Sequence, residues 1–270
     1  MPRHPRPTIH YTARLRPQRR LSLLLVGVGG TGACLAESLA ALAVALRAQA
    51  NAPRVDLLLV DDDRVGEENI GRQRFARCEI GEYKSLTLAA RLSAAYGLVI
   101  QAAPVRYAAG TLDQLLPQRP SPDSLLLIGA VDNPAARACF AQDVERHGFW
   151  WLDCGNAATN GHVLIGNGRR PLLHPALRVV ENLPAPHQQD PAIIVPQPPA
   201  PLTCAALPDA APQGLTINRA VAAIAAEYAR QWLARALTVM STRLALDPPS
   251  AVSTPLTRAS LRPYGISVVH

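Results

Sequence analysis

"LLLVGVGGTG", Leu23 to Gly32, sets a run of apolar residues directly ahead of Gly27-x-Gly29-x-x-Gly32. The Ala- and Leu-rich segment Ala33 to Ala50 follows at once, so the stretch reads as a strand, a tight turn and a helix. Glycine at such a turn lets the backbone approach a phosphate, and the open N–H groups of the helix start are aimed at it. The same geometry serves a dinucleotide pyrophosphate and ATP. The turn therefore predicts a nucleotide-binding α/β fold and leaves the nucleotide open.

Further along, "RVDLLLVDD" from Arg54 reads as a second buried strand and "LVIQAAP" from Leu98 as a third. "SLLLIGAVD" from Ser124, "FWWLDCGN" from Phe149 and "HVLIGN" from His162 continue the series, with helical segments between most of them. Continuous apolar strands alternating with helices predict a doubly wound, mostly parallel, Rossmann-like sheet covered on both faces, with ligands at the carboxyl ends of its strands. The expected organisation is a basic arm over 1–20, one α/β domain over 21–245 and a tail over 246–270. Proline density makes 183–214 a long crossing loop, after which Thr216 is expected to cap a helix beginning "INRAVAAIAA".

At 270 residues with 49% apolar and 17% charged content, the chain is an ordered globular protein rather than a disordered one. Its formal charge of +7 and pI near 9.6 permit a nucleic acid or acidic protein partner without naming one. The five cysteines, Cys34, Cys78, Cys139, Cys154 and Cys204, include no C-x-x-C pair, which argues against a disulfide framework or structural zinc and for a reducing, cytoplasmic setting. The seven histidines show no ligand spacing. The helix from Ala33, interrupted by Glu37 and Arg47, is expected to fall short of a bilayer span, so no membrane partner is expected. Lys84 is the only lysine, against 26 arginines, which suggests a site where a guanidinium will not substitute.

An acidic residue closing the second strand, Asp61, suits the ribose of either nucleotide. Downstream, "VDDDRVGEENIGRQRF" brings Asn69, Arg72 and Gln73, and "IGEYKS" brings Lys84. Such polar and cationic groups suit the β and γ charges of a triphosphate better than a nicotinamide. Asp63 is either part of the ligand shell or a solvated loop carboxylate. Arg72 could pair with Glu67 or Glu68, and Asp132 could cap the helix near Pro134.

These residues resemble the D-x-D-x-V-x-x-x-N-x-x-R-Q motif of the ThiF/MoeB family, the adenylating enzymes related to ubiquitin-activating enzymes. The glycine turn resembles that family's G-x-G-G-x-G, Lys84 its G-x-x-K, and "AVDNPAAR" from Ala130 its D-N-x-x-x-R. Within the family, the motifs look closest to the ThiF proteins of PRTRC plasmid-type gene clusters. The resemblance implies that Gly27, Gly29, Gly30 and Gly32 approach the phosphates and Asp61 binds ribose. Asn69, Arg72 and Lys84 hold the phosphates with Gln73 nearby, and Asp132 positions Mg²⁺ and serves catalysis. It implies ATP- and Mg²⁺-dependent adenylation of a carboxylate, the C-terminal glycine of a ubiquitin-like protein, by a homodimer with a JAB-type protease in the same system. An arginine from the arm, Arg14, Arg16, Arg19 or Arg20, is a candidate to reach the partner subunit's ATP, and Cys204 a candidate acyl-accepting thiol. Adenylation of a modified tRNA base, a silent adaptor and an NAD-linked oxidoreductase are the rival readings.

Overall fold

A computed structural model describes residues 8–118, 120–196 and 214–269. The first β-strand, β1 (Thr12–Ala13), is followed by β2 (Arg20–Val26), α1 (Gly30–Arg47), β3 (Arg54–Val60), α2 (Lys84–Tyr96), β4 (Ile100–Ala103) and α3 (Thr111–Leu115). Next come β5 (Leu125–Gly129), α4 (Pro134–His147), β6 (Trp150–Asn156), β7 (Asn160–Gly166), β8 (Leu172–His174), β9 (Val179–Glu181) and α5 (Pro186–Gln189). The C-terminal part adds α6 (Leu215–Leu233), β10 (Val239–Leu246), β11 (Pro249–Pro255), α7 (Arg258–Leu261) and β12 (Ser267–Val268).

The main sheet has eight strands in the order β11-β10-β7-β6-β5-β2-β3-β4. Strands β6, β5, β2, β3 and β4 are mutually parallel, and β7, β10 and β11 continue the sheet antiparallel. Period-two alternation divides the apolar run of β2 between the two faces. Leu23 and Leu25 pack with α1, α2 and α6, whereas Leu24 and Val26 pack with α3, α4 and Trp151 of β6. The expected doubly wound α/β sheet is what the chain forms.

Beyond that expectation the C-terminal part is more regular. Residues after Leu233 form the hairpin β10–β11, which closes one edge of the main sheet, and β12 joins a second sheet, β1-β9-β8-β12. Helix α6 starts one residue before Thr216, and its cap position is Gly214. Helix α1 starts at Gly30 and runs 18 residues, long and apolar enough by composition to cross a membrane, contrary to the shorter expectation. In the fold its Leu35, Leu39, Ala36 and Ala40 are buried in the core it shares with α6.

Candidate functional site

The C-terminal ends of β2, β3 and β5 surround a cavity of about 240 Å³. Its floor is the glycine turn. Gly27 has a φ of +86°, and a Cβ there would lie 2.6 Å from the Ala130 carbonyl oxygen that follows β5. At Gly32 a Cβ would come 1.9 Å from the Gly27 oxygen, so this glycine lets helix α1 close onto the turn rather than lining the cavity. Helix α1 has no side-chain cap, so its first N–H groups remain open toward the cavity.

Asp61 ties the end of β3 to this turn. One carboxylate oxygen accepts the Val28 N–H at 2.7 Å, and the other accepts the Asp63 N–H at 2.8 Å. Burial pushes the Asp61 carboxyl above the usual carboxylate range, against the lowering effect of those N–H groups and of Lys84. Lys84 opens α2, and its side chain is 7% exposed. Its Nζ donates to Asp63 Oδ2 at 2.9 Å, and Asp63 is itself largely in solvent, so among the described residues a buried ammonium faces the cavity with a single surface carboxylate as partner. Arg106, on the loop after β4, reaches Asp62 at 3.2 Å across the cavity mouth.

Gln73 lines the cavity beside Gly29, and its Oε1 is buried without a hydrogen-bond donor among the described residues. Asn69 lies outside the lining but shapes the loop that delivers Gln73. Its Oδ1 accepts the Gly66 N–H at 2.9 Å, and its carbonyl accepts the Gln73 N–H at 2.8 Å. Arg72 is exposed, outside the lining, and pairs with neither Glu67 nor Glu68 among the described residues. Asp132 is exposed at the cavity wall after β5. It does not cap α4: that role belongs to Asn133, whose Oδ1 accepts the Ala135 N–H at 2.8 Å, with Pro134 in the first helical position. Cys204 lies outside the described residues.

The structure thus brings Gly27, Gly29, Gly30, Asp61, Asp63, Gln73, Lys84 and Asp132 to one cavity. It adds residues that sequence reasoning missed. Thr31 and Asn156 line the far end, and Asn156 donates to Asn218 Oδ1 at 2.6 Å. Behind the wall, Asp153 is fully buried and holds Arg137 at 3.0 Å and His162 at 2.8 Å, one on each carboxylate oxygen. Arg137 is the final residue of "DNPAAR", so the motif arginine fixes the first turns of α4 to β6. Asn156 ends the strand "WLDCGN", where only its position at a strand's carboxyl end could have flagged it. The remaining cysteines are structural or remote: Cys154 is buried in β6 with its thiol pushed well up by burial, Cys34 and Cys139 are half-buried on helices, and Cys78 is exposed. His174 and His187 pair with Glu181 and Glu145. Among the described residues, the acidic group close enough to share a metal ion is Asp61, Asp62 and Asp63.

No curated protein matches the chain in sequence. Solved structures share its fold: E. coli MccB with ATP, at 14% identity and a TM-score of 0.60, over 89% of this chain and 65% of that one. E. coli MccB with MccA-N7isoASN aligns at 14% identity and a TM-score of 0.61 over the same shares. PaaA aligns at 14% identity and a TM-score of 0.55, again over 89% and 65%. The chain therefore spans about 65% of the length of these structures. A profile of the ThiF family matches residues 11–248, and with the glycine turn, Asp61, Lys84 and Asp132 gathered at the carboxyl edge of its parallel strands, the chain belongs to the ThiF family.

Proposed function

We propose that this protein is an ATP-dependent adenylyltransferase that activates a carboxylate, the C-terminal glycine of a ubiquitin-like protein. The observation that carries the reading is the buried Lys84 ammonium facing the same cavity as the open N-terminus of α1 and the Asp132 carboxylate. A nicotinamide has no use for such a cation, whereas a triphosphate needs its charge matched. ATP binding in E. coli MccB, a structure of the same fold, is consistent with it.

In this reading the ribose hydroxyls meet Asp61, whose carboxylate oxygens retain lone pairs beyond the two N–H groups they accept. The Gly27–Gly30 backbone and the α1 N-terminus cradle the phosphates, and Lys84 and Gln73 hold the β and γ groups. A substrate carboxylate oxygen attacks the α-phosphorus. A new O–P bond forms, the bond from the α-phosphorus to the bridging oxygen breaks, and pyrophosphate leaves with the electron pair. Like charge opposes the approach, and fixed positive groups offset that repulsion as charge builds on the leaving group.

Magnesium fits the donor set, because Asp61, Asp62 and Asp63 have ligand atoms within 4.8 Å of one another and Asp132 lines the same cavity, all of them offering hard carboxylate oxygens. Asp132 would hold the ion, which when bound supplies phosphate charge neutralisation. The same reading makes the protein a homodimer working beside a JAB-type protease. Arg14 pairs with Glu181, and Arg20 starts β2 at the end of the strand away from the cavity, so a contact of Arg20 with ATP would be made in the partner subunit. Cys204 would accept the acyl group as a thioester, releasing AMP.

The test is ATP–pyrophosphate exchange with a ubiquitin-like protein from the same gene neighbourhood, prepared with a free or an amidated C-terminus. Exchange only with the free carboxylate is expected. Equal exchange with the amidated protein would contradict the reading, as would bound ATP with no exchange for any carboxylate tried. For Cys204, a reductant-sensitive covalent adduct on a non-reducing gel is expected, and its survival in Cys204→Ala would remove that role.

A further inference from the structure

The strand order gives the cavity a direction. Asp61 follows β3, the glycine turn follows β2, Asp132 follows β5 and Asn156 ends β6, and these strands lie side by side as β3-β2-β5-β6. At about 4.8 Å per strand the row spans about 14 Å. With ribose at Asp61 and phosphates over the glycine turn, the β6 end is the side from which a second reactant meets the α-phosphorus.

That end is built from neutral amides. Asn218, 3% exposed on the first turn of α6, accepts from Asn156 Nδ2 at 2.6 Å and from Thr31 Oγ1 at 3.1 Å on its single carbonyl oxygen. Its own amide NH₂ has no acceptor among the described residues. The NH₂ nitrogen lies 2.3 Å from where a Cβ on Gly30 would stand, so it sits at the open start of α1. An amide donor left without an acceptor beside the open N–H groups of a helix start favours an oxygen ligand, and the neighbouring Asn156 lines the cavity at this end.

We propose that Asn218 and Asn156, oriented by Thr31, form the subsite for the acyl group that is activated, a carboxylate at the end of a peptide chain. This rests on the adenylyltransferase reading. The chemistry of the donors suits the reactant: a carboxylate is an acceptor only, and neutral amides hold and aim it without the tight ion pair that an arginine would form and that would quench its attack. One oxygen held by the Asn218 amide leaves the other directed along the strand row toward the α-phosphorus.

Binding of two probes separates this subsite from the nucleotide site. AMP occupies the nucleotide positions alone, and N-acetylglycyl sulfamoyl adenosine adds an acyl end without a charged amine. By calorimetry the wild-type protein is expected to bind the acyl probe at least tenfold tighter than AMP. Asn218→Ala and Asn156→Ala are each expected to weaken the acyl probe by about tenfold, the worth of a lost hydrogen bond, with AMP affinity unchanged. Asn218→Asp, of the same shape but with charge opposed to the reactant, is expected to erase the advantage. Equal weakening of both probes would show that the amides merely pin α6 to α1 and would overturn the proposal, as would an acyl probe no tighter than AMP on wild type. Should the Asn218 variants not fold, Asn156→Ala with the two probes decides by the same criterion. A wild-type protein that binds neither probe would instead refute the adenylyltransferase reading itself.

Discussion

Strands β5 and β6, in the parallel half of the main sheet, are buried along nearly their whole length, whereas burial falls away through β7, β10 and β11 in the antiparallel half. The parallel half needs helices on both faces because each connection returns over the sheet. Those connections aim helix starts at the carboxyl edge of the strands, and α1, α2 and α4 all begin there. In the antiparallel half β6–β7 and β10–β11 are hairpins, while the connection from β7 to β10 runs through β8, β9, α5 and α6, so no strand-by-strand row of helix starts forms there. Chemistry therefore gathers on one half, and the other serves as its flank and edge.

The comparison breaks if the two halves respond alike to truncation. Trp151 on β6 is fully buried against Phe140, and Trp151→Ala is expected to cost about 3–5 kcal/mol in denaturant unfolding. Val252 on β11 is 70% exposed, and Val252→Ala is expected to change stability by less than about 0.5 kcal/mol. Comparable losses at the two sites would remove the distinction. On the chemical side, Asp132→Ala is expected to lower ATP–pyrophosphate exchange by about 100-fold or more, equivalent to about 2.7 kcal/mol, with the unfolding midpoint unchanged. Lys84→Arg should lower exchange by about tenfold, since a wide planar fork replaces a compact ammonium in a buried slot. Full activity in that variant would show that the slot asks only for positive charge.

Acid titration sharpens the contrast at the smallest scale. Burial raises the Asp61 carboxyl at the active edge, so folding favours its protonated form. Its contribution to stability is present at low pH and is lost as pH rises from about the ordinary carboxylate value through the raised one. Asp190, beside the antiparallel half, has the opposite sign. Burial raises it, but the Arg243 guanidinium at 2.9 Å and the Ala192 N–H outweigh burial and hold it low. Its contribution is present above the ordinary value and is lost as pH falls through the lowered one, and as an exposed pair it is worth less than about 1 kcal/mol. Unfolding of Asp190→Asn against wild type should show a deficit that grows with pH up to about 4 and then levels. A deficit that shrinks over the same range would reverse the assignment.

What was legible in the sequence follows the same division. Leu23–Val26, Leu57–Val60 and Leu125–Ile128 are apolar on both faces, so they stand out as strands, and their carboxyl ends carry the glycine turn, Asp61 and Asp132. Strand β11, "PSAVSTP", is mostly exposed and flanked by prolines, so nothing in its periodicity separates it from a tail, and pairing with β10 alone makes it a strand. In the site, groups presented by local chain geometry were readable, such as Gln73 and Lys84. Asn156 and Asn218 stand 62 positions apart and meet only through the packing of α6 on β6, which no local pattern records. Asn69 was readable as a site residue, yet its side chain is spent on the Gly66 N–H. Asp132 read equally as a cap, but the chain turns one residue later than that reading needs, at Asn133.

The central claim is that the cavity over the parallel strands takes a triphosphate. Displacement of a fluorescent ATP analogue from the wild-type protein by ATP and by NAD⁺, each titrated at fixed magnesium, tests it most directly. ATP is expected to displace the analogue at least 30-fold more strongly than NAD⁺, about 2 kcal/mol of discrimination, and Lys84→Ala is expected to erase most of that preference. Equal displacement by the two, or a preference for NAD⁺, would contradict the account.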